Sequence, residues 1–157
     1  MTLSTQIGRV YNYAKLLAEY YLTIKRIKEV WLFGSVAVNG DGSDIDLILV
    51  VNRKIFETYI DEMNRRIDYH PKNITAEKFA SWRFEIIQTL VKKPLLPPDF
   101  DEFDYPVDLV LLPLGWEQNI EKLERLSFVL KKRFLEKNLV QAMPFDPIVG
   151  DFLSPSS

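Results

Sequence analysis

The chain of 157 residues has no cysteine and one histidine, and each shortage removes a class of function. Without cysteine there is no disulfide framework, no thiol nucleophile and no cysteine-ligated zinc site. The single histidine, His70, cannot build a multi-histidine metal site, and its place before Pro71 predicts a role at the end of a helix. Catalysis by a serine–histidine–aspartate triad is therefore not expected.

Long apolar runs and an excess of basic charge are also missing. No stretch approaches the length of a membrane span, and the first residues lack the pattern of a signal peptide. A formal net charge of −2 argues against broad nucleic-acid binding but leaves room for a local basic patch. We therefore expect a cytoplasmic protein without a membrane partner, for which a nucleic-acid partner is disfavoured.

Hydrophobic periodicity predicts an α/β fold, with a small mixed sheet backed by helices. Strands are predicted at residues 30–33, 45–51 and 105–112, and helices at residues 4–28, 52–68, 75–91 and 116–139. One domain is expected to cover residues 1–140. The tail at residues 141–157 has apolar residues without periodicity, so it either wraps onto its own body or docks onto a partner, and its last residues are expected to be disordered.

Two carboxylates, Asp44 and Asp46, stand where the second predicted strand begins. Side chains alternate along a strand, so residues two apart are expected to point to the same face. Neighbouring acids at the end of a buried strand repel each other and cost desolvation energy. A divalent cation relieves both costs, because hard ions such as Mg²⁺ prefer carboxylate oxygens.

A Gly34-Ser35 pair ends the first predicted strand and adds a phosphate site to these acids. Glycine allows close approach of the backbone to a ligand, and a serine hydroxyl with nearby N–H groups can bind phosphate oxygens. A third acid, Asp108, is embedded in the third predicted strand, and aspartate is rarely buried without a partner. If the two acid-bearing strands are neighbours, three carboxylates converge.

Together, Gly34-Ser35, the run from Ser43 to Leu47 and the later Asp108 resemble the three-part signature of the nucleotidyltransferase superfamily, the polymerase-beta-like fold. The small size of the chain is similar to that of minimal MNT-type members, which are often encoded beside a HEPN-domain partner. This resemblance implies that Gly34, Ser35 and Ser43 bind the nucleotide, and that Asp44, Asp46 and Asp108 hold Mg²⁺ or Mn²⁺ and act in catalysis.

The same resemblance implies transfer of a nucleoside monophosphate from ATP or another NTP to an acceptor hydroxyl, which a HEPN-type partner protein is expected to supply. An alternative is a silent module of this fold that acts by docking, since Val36 to Asn39 stand where minimal members carry an arginine. Local alternatives also stay open: the acid pair as a hairpin loop or cap, and Asp108 as an edge-strand residue bonded to nearby backbone.

Overall fold

A computed structural model of the chain describes residues 3–34, 44–70, 72–98, 100, 105–118, 123 and 142–154, with side chains from residue 9 onward. Within these ranges there are three helices and a five-stranded mixed sheet, which confirms the predicted α/β class. The helices are α1 (Leu3–Leu22), α2 (Arg53–Tyr69) and α3 (Ala76–Val91), and the strands are β1 (Glu29–Phe33), β2 (Ile45–Val51), β3 (Val107–Pro113), β4 (Met143–Asp146) and β5 (Asp151–Phe152).

Strand β2 organises the sheet, whose order is β3-β2-β1-β4-β5. All seven of its residues are buried, as expected for an almost continuous run of Ile, Leu and Val covered on both faces. Strand β3 runs parallel to β2, whereas β1 and β4 join by antiparallel pairing. The parallel ladder extends from the Ile45 amide, which donates to Pro106 O at 2.9 Å, to the Leu114 amide, which donates to Val51 O at 2.9 Å.

Helices α2 and α3 begin at polar caps that the sequence contains. The Asn52 side chain accepts a hydrogen bond from the Ile55 amide at 2.9 Å, and the Thr75 hydroxyl accepts one from the Lys78 amide at 3.1 Å. Each satisfies a backbone donor that a helix start leaves open. The His70 amide closes α2 by donating to Ile67 O at 3.1 Å, in agreement with the predicted role of that residue.

Helix α1 ends at Leu22, so the predicted helix over residues 4–28 is too long. Beyond Leu22, the amides of Thr23 and Ile24 donate to carbonyls only three residues back, each at 3.0 Å, which tightens the chain out of the α-helix. Ile24 and Ile27 are buried here, so the apolar positions that extended the periodic pattern serve the turn into β1. None of the helices in the described ranges has the length and apolar character needed to span a bilayer.

The segment after residue 141 wraps onto its own body, which was one of two predicted alternatives. Strand β4 pairs with β1, β5 pairs back onto β4, and both Phe145 and Phe152 are buried. Disorder is expected for the last four residues, 154–157, of which Ser154 is described and residues 155–157 lie outside the described residues. Nearly all of the predicted helix over residues 116–139 also lies outside them. Of that helix only a 3₁₀ turn at Trp116–Gln118 and the buried Leu123 are described.

A hydrogen bond from the Tyr11 hydroxyl to the Asp151 carboxylate fastens β5 to α1. This bond lowers the pKa of Asp151 below its ordinary value, and burial together with the nearby carboxylate raises the pKa of Tyr11 to about 12. Asp151 therefore adds stability that is lost as the pH falls below 3.8, and Tyr11 adds stability that is lost as the pH rises from 10.0 towards 12.

Replacing Tyr11 by phenylalanine should remove this contribution. We expect Tyr11→Phe to lower the free energy of unfolding by about 1 kcal/mol near neutral pH, with the difference from wild type shrinking at both extremes. Urea unfolding between pH 3 and 11, with Tyr13→Phe on the same helix as control, would measure this. No difference from wild type at neutral pH would show that the bond contributes nothing, and a difference that does not change with pH would show that it is not coupled to ionisation of Asp151 or Tyr11.

Candidate active site

The parallel pairing of β2 and β3 places two carboxylates side by side. Asp46 and Asp108 are direct partners in the register, so their side chains project from the same face of the sheet. The two strands that carry them are spaced by about 4.8 Å, the usual distance between neighbouring strands. Asp46 is 6% exposed, and the side chain of Asp108 is 13% exposed. Two acids are thus held together at the edge of the sheet where β2 begins, as the sequence predicts.

Asp44 lies in a different environment from these two. It precedes β2 in a bend and is exposed, whereas Asp46 lies inside the strand. The described residues contain no group of three or more His, Cys, Asp or Glu side chains that could hold a metal ion. Because residues 35–43, which lead into Asp44, lie outside the described ranges, the convergence of all three acids stays a prediction.

The backbone at Gly34 passes very close to the Asp46 carboxylate. Its φ of +80° lies in the left-handed region that favours glycine, and a Cβ atom built there would lie 2.2 Å from Asp46 Oδ2. Antiparallel pairing explains this approach, since Phe33 is the register partner of Asp46. The glycine predicted to approach a ligand therefore also makes room for the carboxylate. Ser35 and Ser43 lie outside the described residues.

Arg83 of α3 is the functional candidate that the sequence reasoning missed. It is only 2% exposed, and its Nη2 atom donates to Asp108 Oδ1 at 3.0 Å while its Nε atom donates to Leu109 O at 3.3 Å. One bond holds the Asp108 carboxylate, and the other ties the same guanidinium to the backbone of β3. A signal was present in the sequence, because Arg83 interrupts the apolar stripe of its helix just as Asp108 interrupts an apolar strand. Because charged side chains are rarely buried without a partner, a cation and an anion that each interrupt an apolar segment are expected to pair with each other.

Tyr59 of α2 lies in the electrostatic field of this pair. The side chain is fully buried, and within the described part of the chain its hydroxyl has no hydrogen-bond partner. Burial raises the pKa of Tyr59 above its ordinary value, with smaller opposing effects from Arg83 and Asp108. The hydroxyl is therefore neutral at physiological pH, so Tyr59 adds no charge beside the pair of Arg83 and Asp108.

Comparison with known families assigns the chain to a family. The family model described as a nucleotidyltransferase domain matches residues 13–141, which include α1 from Tyr13 onward, β1, β2, β3 and both acid-bearing positions. The chain belongs to the nucleotidyltransferase domain family. Searches of curated proteins and of solved structures found no significant match. The prediction of a nucleotidyltransferase enzyme is thereby confirmed, with its acceptor still open, and the MNT subtype stays a prediction.

The donor chemistry of this nucleotidyltransferase suits the NTP and divalent metal that the family generally uses. Carboxylate oxygens are the ligands that hard divalent ions prefer, and Asp46 and Asp108 present them from one edge of the sheet. Arg83 donates a hydrogen bond to one oxygen of Asp108, Oδ1, and so holds the carboxylate in place. Asp46 and Asp108 therefore fit a divalent metal ion, and Asp46 is the more buried of the two.

Substitution of Gly34 tests the close approach. Gly34→Ala should lower the free energy of unfolding by about 2 kcal/mol or more, because the methyl group meets Asp46 and the backbone angle is strained. Gly115→Ala is a matched control, since that glycine has a φ of +79° but nothing within 4 Å of the added carbon. Chemical denaturation should show a clearly larger loss at position 34. Equal losses would mean that only the backbone angle requires glycine there.

Substitution of Arg83 tests the buried ion pair. Arg83→Met leaves the Asp108 carboxylate without its cation and should cost about 3 kcal/mol. The double variant Arg83→Met/Asp108→Leu should recover part of this loss, because no charge is then left without a partner. A double-mutant cycle measured by urea unfolding gives the coupling energy. Additive losses in the cycle would show that the two residues do not stabilise each other.

Proposed function

We propose that this chain transfers a nucleoside monophosphate from ATP to an acceptor hydroxyl, with Mg²⁺ or Mn²⁺ held at Asp46 and Asp108. The register pairing of these two acids, beside the close turn at Gly34, is the observation that supports it. In this proposal Asp44, which lies in the bend before β2, joins the same metal. Ser35 and Ser43 complete the nucleotide site in this proposal.

In the proposed reaction the acceptor oxygen attacks the α-phosphorus, the new P–O bond forms, and pyrophosphate leaves with the cleaved bond electrons. The proton of the acceptor hydroxyl passes to the nearby carboxylate of Asp108. A bound divalent ion lowers the pKa of the acceptor hydroxyl and offsets charge on the leaving group. Arg83 keeps the Asp108 carboxylate aimed at one place throughout, because its two bonds restrain both the side chain and the strand.

For the acceptor we propose a hydroxyl group on a partner protein of the HEPN type. The net charge of −2 supports a protein over tRNA, because binding of nucleic acid depends on neutralising many phosphates. We propose a cytoplasmic location, which the absence of cysteine supports.

A second candidate function is a silent module that docks onto its partner without chemistry. Two observations favour it: Asp108 is already paired with a buried cation, and the β4–β5 turn exposes Ile148 at 95% and Val149 at 65%. Exposed apolar side chains at a hairpin tip suit contact with another protein. The two candidates differ in whether metal and nucleotide bind together.

Thermal unfolding with ATP and Mg²⁺, together and each alone, separates these candidates. If the site is active, the melting temperature should rise only when both ligands are present. The free energy of unfolding should then increase by about 2.7 kcal/mol at a ligand concentration one hundred times the dissociation constant. Asp46→Asn should abolish that rise, while Asp61→Asn, an exposed aspartate on α2, should preserve it.

Labelled ATP gives the second readout. Label on the α-phosphate should move to the acceptor, and label on the γ-phosphate should leave with pyrophosphate. An unshifted melting temperature in every condition would contradict the enzyme and favour docking. If Asp46→Asn raises the stability of the free protein but leaves ligand binding intact, the acid pair is structural.

A further inference from the structure

A basic cleft lies at the end of β2 opposite to the acids. It has a volume of about 570 Å³ and is lined by four cationic side chains together with the half-buried Ile55 and Leu90. The cations are Lys25, Arg26, Lys28 and Lys54. Val51, at this end of β2, is five residues after Asp46, so the cleft is about 17 Å or more from the acid pair.

The sheet topology explains why these cations meet. Antiparallel pairing makes Glu29 the partner of Val50, so the chain enters β1 where it leaves β2. The turn before β1 supplies three of the cations, and the Lys28 amide ties that turn to Val50 O at 2.7 Å. The first turn of α2 supplies Lys54 from the other side.

Among the described residues, the lining of the cleft has no carboxylate to offset the positive charge. The first turn of α2 contains no acid either, so the positive end of the helix dipole adds to the four cations. Arg26 is held in place because its Nη1 atom donates to Leu90 O at 2.7 Å, which leaves its other N–H donors available. In a chain with net charge −2, such a concentration of like charge raises the local potential.

We propose that this cleft binds adjacent phosphate groups of one ligand, either an RNA backbone or a free polyphosphate chain. Phosphates place several negative oxygens within a short span, which suits four converging cations. The described lining residues include no aromatic side chain on which a base could stack, so the proposal rests on recognition of phosphate. The site lies beyond the proposed nucleotide-transfer centre and does not depend on it.

Two binding measurements test this cleft: fluorescence anisotropy with a labelled single-stranded RNA oligonucleotide, and direct calorimetric titration with tripolyphosphate. Unlabelled tripolyphosphate and poly-L-glutamate are the competitors, and the affinity is measured over a range of salt concentrations. Lys25→Glu/Lys54→Glu reverses two exposed charges of the cleft, and Lys25→Gln/Lys54→Gln neutralises them. Lys72→Glu/Lys78→Glu makes the same charge change at exposed positions outside the lining and is the matched control.

We expect the neutralised variant to bind RNA about tenfold more weakly, with the slope of log affinity against log salt reduced by about 2. The reversed variant should bind still more weakly, whereas the control and Asp46→Asn should bind like wild type. Binding of RNA supports the backbone as the ligand, and binding of tripolyphosphate alone supports a free polyphosphate.

Three results would overturn the phosphate cleft: no binding of either phosphate probe by wild type, equal losses in the cleft and control variants, or stronger competition by poly-L-glutamate than by tripolyphosphate. The last would assign the cleft to an acidic protein segment. Mg²⁺-dependent stabilisation by ATP, measured on the same variants, reports separately on the acid site. It should persist in the cleft variants and disappear in Asp46→Asn, so failure at one site is distinguishable from failure at the other.

Discussion

Parallel hydrogen bonding between β2 and β3 is the constraint on which the acid site depends. The register that pairs Asp46 with Asp108 also pairs Leu47, Ile48 and Leu49 with apolar residues of β3. A slip of one residue would turn every side chain of the strand to the opposite face, so the apolar contacts of the core fix where the acids lie. The chemistry of the site is therefore held in place by the hydrophobic effect acting on its neighbours in the same strand.

Placing carboxylates in such a strand is costly, and the structure offsets that cost locally. Arg83 reaches from α3 to Asp108, and Gly34 leaves space for Asp46 that any side chain would fill. The arginine matters for the mechanism because it restrains the acid proposed to accept a proton. It also explains how Asp108 is tolerated in a buried strand, so the same contact supports both an enzyme and a docking module.

Elements fixed by local chemistry could be predicted from the sequence. Strand β2 was predicted at residues 45–51 and lies at Ile45–Val51, and the Thr75 cap sets the start of α3. The end of α1 was misjudged, because buried Ile24 and Ile27 continue its apolar pattern in the turn that follows. Arg83 was missed because the periodic pattern shows that a charge interrupts the helix but does not identify its partner, which is 25 residues away in sequence. The roles of Ser35 and Ser43 stay predictions.

In the described part of the molecule, the two ends of β2 carry side chains of opposite charge. Acids gather where the strand begins, and lysines and an arginine gather where it ends. Clusters of opposite sign at the two ends of one strand create local potentials of opposite sign, which draw an approaching polyanion and an approaching cation to different ends of β2. Orientation during encounter, and its loss in concentrated salt, follow from the sheet topology rather than from the overall charge.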